Sequence, residues 1–246
     1  MSILAFLHIA VALLFAVHAV RNGQPIYWLF ILFMFPLLGS IVYGVAVWLP
    51  EMRYSRGAHQ AKRKVRELLD PGRELREARV AHEESPSVGN HLRLADALLA
   101  SGKPGDALPL YDRALSGLYA NDPDIRARKA RALLEVGRAG DAKALLDALI
   151  AEKPDFRNAV AHLTYARAVA TLGDRDKARE EFDVLVDYFP GLEARARYAT
   201  LLREWDETDR ARTLAAESLR IGQRLPPHSR AADKDWIAML QKVDKA

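Results

Sequence analysis

No cysteine occurs in the 246 residues, which excludes disulfides, thiolate metal sites and a cysteine nucleophile. The first fifty residues contain no acidic side chain, and Arg21 is their one charged group. A phosphate-binding glycine loop is missing too: Gly102, Gly137 and Gly173 are followed by no Lys-Ser/Thr pair. There is no His-Glu-x-x-His pair of metal ligands and no serine in a nucleophile elbow. The many Asp and Glu residues alternate with Arg and Lys in helical sequence, the pattern of solvated helix faces. The expectation is a chain that is not an enzyme and needs neither cofactor nor metal.

What charge there is falls unevenly. The formal net charge is +4, yet from Ser87 onward 26 basic residues face 25 acidic ones. The excess gathers between Glu51 and Arg66, where Arg53, Arg56, Lys62, Arg63, Lys64 and Arg66 meet one acid. A cluster so confined argues against nucleic acid as a partner. It suits an anionic lipid surface, which attracts basic groups by about 1 kcal/mol each.

Two apolar runs precede this cluster. Ile3 to Val20 spans eighteen residues, and Ile26 to Leu49 spans twenty-four without a charge. As a continuous helix the second would reach about 36 Å, more than the roughly 30 Å of a bilayer core. The turn Arg21-Asn22-Gly23-Gln24-Pro25 separates them. A signal peptide would need basic residues ahead of the first run, and none is there. The pattern predicts a transmembrane hairpin over residues 1–50. The basic residues after Leu49 then place both termini in the cytoplasm, as a multi-pass protein of the inner membrane. Tyr27, Trp28, Tyr43 and Trp48 suit the interfacial belts. Ser40 and Gly44 offer a close-packing face, for the first helix of the hairpin, for a homo-oligomer or for a partner's transmembrane helix. His8 and His18, which could serve as haem ligands or proton carriers, are read as structural or interfacial histidines.

Trp28, Pro36, Gly39 and Tyr43, set in YWLFILFMFPLLGSIVY, resemble the N-terminal transmembrane segment of cardiolipin synthases and related phospholipase D-like proteins. Those enzymes work through His-x-Lys-x4-Asp motifs. Here His59 is followed by Gln60 and Ala61, and no His-x-Lys occurs anywhere. The resemblance implies a shared type of membrane module and not the lipid chemistry.

Beyond a basic juxtamembrane helical linker, 51–86, the chain repeats itself. Three stretches share an Ala-containing helix, a glycine turn and a second helix entered through Ala. Gly102, Gly137 and Gly173 recur at spacings of 35 and 36, each followed five residues later by Ala107, Ala142 or Ala178. Leu94, Ala95, Leu98, Ala107, Tyr111 and Ala114 in the first unit, and Tyr165, Ala166, Val169, Ala178, Phe182 and Pro190 in the third, resemble the tetratricopeptide repeat. Lys129 and Leu149 depart from its pattern in the second unit.

The fold class is therefore read as all-α, a two-helix hairpin followed by a tetratricopeptide-type solenoid. Residues 87–225 hold three units and a degenerate fourth, in which Asp206 stands where glycine is expected, and 226–246 form a capping helix. The resemblance implies a right-handed superhelix whose concave face is lined by the first helix of each unit. On that face it places Leu92, Asp96, Arg131, Leu134, Leu163 and Arg167. Arg131 and Arg167 either grip a partner's carboxylates or make internal ion pairs. The functional expectation is a scaffold or adaptor that binds protein or peptide partners. The alternative is a lipid-linked regulator whose hairpin and basic linker hold anionic lipid or a lipid-synthesis enzyme.

Overall fold

The computed structural model describes residues 3–50, 70 and 72–245, with only the backbone of residues 3–8. Every regular element among them is helical, and the chain divides into two compact units, Met1–Arg73 and Glu74–Ala246.

In the N-terminal unit α1 runs Ile3–Arg21. The second apolar run does not form one helix. It breaks into α2 (Tyr27–Met34), α3 (Pro36–Tyr43) and a π-helical turn, Gly44–Trp48. The break has a local cause. A residue before proline is pushed out of the helical region, and Phe35 adopts φ −134° and ψ 73°. Pro36 then opens α3, where its missing N–H is harmless. The bend folds α3 tightly onto α2: a Cβ at Gly39 would lie 2.6 Å from the Ile31 carbonyl oxygen.

These geometries correct the transmembrane reading. Among the described residues no helix is long and apolar enough to cross a membrane, which overturns the multi-pass inner-membrane localisation. Eight-residue helices reach only about 12 Å, and hydropathy along a run does not register where its helix stops. The four residues that carried the membrane resemblance instead build the packing of this unit. Tyr43 is fully buried, Trp28 meets its ring edge-on at 5.2 Å, and Gly39 and Pro36 make the bend. The Tyr43 hydroxyl lies 3.0 Å from His18 Nδ1. Arg53, Arg56, Lys62, Arg63, Lys64 and Arg66 lie outside the described residues, and so does the helix expected there.

The second unit opens within α4 (Arg73–Glu84), at Glu74, and continues as four helix pairs. These are α5 (Val88–Ala100) with α6 (Pro104–Ala114), α7 (Pro123–Glu135) with α8 (Ala139–Glu152), α9 (Ala159–Thr171) with α10 (Arg175–Tyr188), and α11 (Glu193–Glu204) with α12 (Thr208–Arg224). A short α13 (Pro227–Ala232) leads to α14 (Lys234–Lys245), which packs on α11 and α12 through Leu240 and Val243.

The same turn joins the two helices of every pair. Gly102, Gly137 and Gly173 hold φ of 71°, 82° and 88°, and Asp206 holds 66° in the fourth. In each, the next residue's N–H returns to a carbonyl five positions back: Lys103 to Leu98, Arg138 to Leu133, Asp174 to Val169 and Glu207 to Leu202. This is the Schellman closure that satisfies the last carbonyls of a helix. Five residues past each turn residue, Ala107, Ala142, Ala178 and Ala211 are fully buried, letting the paired helices approach. Ser87, Asp122, Asn158 and Asp174 cap the following helices by accepting a backbone N–H. Where a small residue gives way, a large one fills the core: Phe182 and Tyr198 stack at 5.1 Å across the third and fourth pairs.

Candidate peptide-binding groove

The first helices α5, α7, α9 and α11 are brought side by side along one face. Six residues before each turn residue stand Asp96, Arg131, Arg167 and Thr200, and nine before stand Arg93, Arg128, Thr164 and Arg197. Two cavities open along this line. The first, about 370 Å³, is lined by Asp96, Leu99, Arg128, Arg131, Asn158 and Val160 among others. The second, about 320 Å³, lies between α9, α11 and α14 and includes Arg167, Arg197, Trp205 and Met239.

The charges in these cavities differ in how far they are already satisfied. Asp96 accepts the Tyr111 hydroxyl at 2.7 Å and pairs with Arg128, so its carboxylate ties α5 to α6 and α7. Burial, and then the Asp96 carboxylate, push the Tyr111 hydroxyl well above the usual tyrosine range. Arg167 donates to Glu135 at 2.8 Å, joining α9 to α7. Burial favours a protonated Glu135, yet the hydrogen bond from Arg167 and the charges of Arg167, Arg197 and Arg131 hold it below the ordinary carboxylate range. Arg197 bonds Glu193 at 2.9 Å and lies over the Trp236 ring at 4.8 Å. Its pKa is lowered by burial and by the like charge of Arg167.

Arg131 stands apart. It is exposed, it faces the first cavity, and no carboxylate lies within ion-pair distance of it among the described residues. Of the six groove residues expected from the sequence, Asp96 and Arg131 share the first cavity and Arg167 lines the second. Leu134 and Leu163 are 8% and 3% exposed and belong to the core between helices, closed to a partner. Leu92 is half-buried and packs against the core formed by α4 to α7. Arg128, Asn158, Arg197, Trp205 and Met239 line the groove without having been singled out. Arg93, Arg128 and Arg197 share one offset from the turn residue, a regularity already present in the sequence at Gly102 and Gly137.

Comparison with known proteins bears on the fold of this unit. Residues 98–159 match the family model of the tetratricopeptide repeat, from the last residues of α5 to the start of α9. That segment is of the tetratricopeptide-repeat type. A thermophilic repeat protein of Thermus thermophilus superposes with a TM-score of 0.58 at 20% identity, over 74% of this chain and 95% of that one. A tetratricopeptide repeat protein from Parabacteroides merdae gives a TM-score of 0.47 at 19% identity, over 76% and 75% of the two chains. In sequence, DnaJ homolog subfamily C member 3 of Mus musculus is 30% identical over 134 residues. The match covers 53% of this chain and spans only 25% of the length of that relative.

In a tetratricopeptide array each pair buries its apolar face against its neighbours. Here polar residues on both first and second helices tie the pairs together. The Asp96–Arg128, Arg167–Glu135 and Arg210–Asp183 ion pairs each join successive helix pairs. Such half-exposed pairs contribute little individually, and they fix how one unit meets the next. Of the two arginines, Arg167 makes an internal ion pair with Glu135, while Arg131 is exposed at the first cavity.

Proposed function

We propose that this chain is a protein-interaction scaffold whose groove along α5, α7 and α9 holds an extended peptide segment, with Arg131 as the grip for a carboxylate of that segment. One observation carries the reading. Arg131 is the groove guanidinium left without an acidic partner among the described residues, while Arg128, Arg167 and Arg197 are each committed to Asp96, Glu135 or Glu193. A guanidinium offers planar paired donors that match a carboxylate. Leu99 and Val160 beside it supply apolar contact for the neighbouring side chains. Asn158 is held in place, because its amide donates to Asp124 at 3.2 Å while its oxygen caps α9.

The test is Arg131→Glu in the full chain. Its affinity for a panel of fluorescent acidic decapeptides, with free or amidated C-termini, is read by anisotropy. Binding of the best peptide should weaken by at least about tenfold, equivalent to roughly 1.4 kcal/mol, with an unchanged circular dichroism spectrum. Undiminished binding by a folded Arg131→Glu protein would remove the groove as the site. Arg167→Glu is the wrong probe for this purpose, because it sets two carboxylates against each other at Glu135 and loosens the array itself.

A further inference from the structure

The repeat unit contains a third and larger cavity, about 660 Å³, bounded by α8, the 153–158 connection, α9 and α10. It is built from the second helices as much as the first. It touches the first groove cavity only at Asn158 and Ala161, at the start of α9. Its floor is the buried pair Leu146 and Leu149. Its rim carries Ile150, Val184 and Tyr188, which are 52%, 55% and 50% exposed. Large apolar side chains left half-open around a cavity mouth are characteristic of interaction surfaces.

The polar groups in the wall are almost all matched to one another. His162 Nε2 lies 2.6 Å from Glu181 Oε2, and a carboxylate only accepts, so that nitrogen carries the hydrogen. His162 Nδ1 then accepts from the Tyr188 hydroxyl at 2.6 Å. Lys177 reaches the other oxygen of Glu181 at 2.9 Å, and Lys143 neutralises Asp147 at 2.7 Å. Arg157 is the exception. Its guanidinium donates to the backbone carbonyls of Pro154 and Phe156 and meets no carboxylate among the described residues. Both acids of the wall are already balanced, which leaves one positive charge beside an apolar recess.

We propose that this cavity is a second docking site, independent of the Arg131 groove, for a peptide segment that sets a bulky apolar side chain in the recess and a carboxylate against Arg157. The charge balance selects an acidic neighbour for the apolar anchor. The rim selects a peptide over a small molecule: small-ligand cavities enclose most of their ligand, whereas Ile150, Val184 and Tyr188 leave apolar surface outside the mouth for a longer chain to cover. An aromatic or aliphatic anchor in such a recess is where interface energy concentrates.

The experiment is selection of displayed random dodecapeptides on the intact protein, followed by titration of synthesised winners. The expected result is a class with Leu, Phe or Trp next to Asp or Glu. Its binding falls tenfold or more in Val184→Lys, in Ile150→Lys and in Arg157→Glu, and is unchanged in Arg131→Glu. All of these positions are exposed, and each variant is checked for an unaltered melting temperature. Three results would overturn the proposal. The selection could enrich no such class, its members could bind Val184→Lys and Ile150→Lys as well as the parent, or they could ignore the charge at position 157. Loss of all winners in Arg131→Glu alone would assign them to the groove, so the two sites fail separately.

Discussion

Gly39 in the N-terminal unit has an ordinary backbone angle and no space for a side chain, because α3 turns back over the Ile31 carbonyl. Gly102, Gly137 and Gly173 in the repeat unit have open space where a Cβ would go and a left-handed backbone instead. The first arrangement is a single crowded bend on which two short helices depend. The second is a standard turn used four times, tolerant enough that Asp206 adopts it with a side chain. A one-off bend concentrates its stability in one atom's clearance. A repeated array distributes stability over many equivalent contacts.

The largest effect is expected from the array's shared core. Phe182→Ala should destabilise the repeat unit by about 3–5 kcal/mol, measured as a shift of the urea midpoint by circular dichroism. Hydrogen exchange should show lost protection in α9 to α12. If α2 and α3 lost protection equally, the two units would be unfolding as one and the contrast between them would fail.

Gly39→Ala comes next. Overfilling a packed site costs about 1–3 kcal/mol, and the loss should appear as faster amide exchange from Ile31 to Tyr43 with the repeats unchanged. Unaltered exchange there would show that the bend has slack.

Two turn substitutions should move in opposite directions by about 1 kcal/mol each, since a left-handed angle penalises a Cβ by that order. Gly137→Ala should lower the thermal midpoint of the repeat unit, and Asp206→Gly should raise it. Equal responses would mean that the fourth turn differs in kind from the other three.

The smallest effect is acidic. The hydrogen bond from His162 holds the Glu181 carboxyl down at about 2 against the opposing effect of burial, with Lys177 adding to the hold. A lowered carboxylate pKa stabilises the fold above the ordinary value of 4.5, and that contribution fades as pH falls towards 2. Glu181→Gln should therefore flatten the decline of the urea midpoint across that interval and leave its slope above pH 5 alone. An unchanged acid limb would show that the pair contributes nothing measurable.

The spacing of Gly102, Gly137 and Gly173, and the alanine five residues after each, were legible as repeating helix pairs because helix, turn and close crossing each use local, periodic signals. The apolar run from Ile26 to Leu49 was legible in composition and misleading in geometry. A proline and the residue before it end a helix that hydropathy alone treats as continuous. In the groove, Arg131 and Arg167 occupy equivalent positions and were read alike. Only a carboxylate on another helix separates them, and Glu135 lies 32 residues from Arg167. Leu134 and Leu163 were placed on the open face although the neighbouring pair covers them.

By itself the sequence determined that the second unit is a chain of helix pairs with small residues at their crossings. Those features act over a few residues, and the backbone obeys them wherever they occur. Tertiary structure decided which charges are paired within the array, because pairing depends on distances between residues some thirty positions apart. It decided as well that the longest apolar run would fold back on itself, at a bend where Gly39 leaves room for the Ile31 carbonyl.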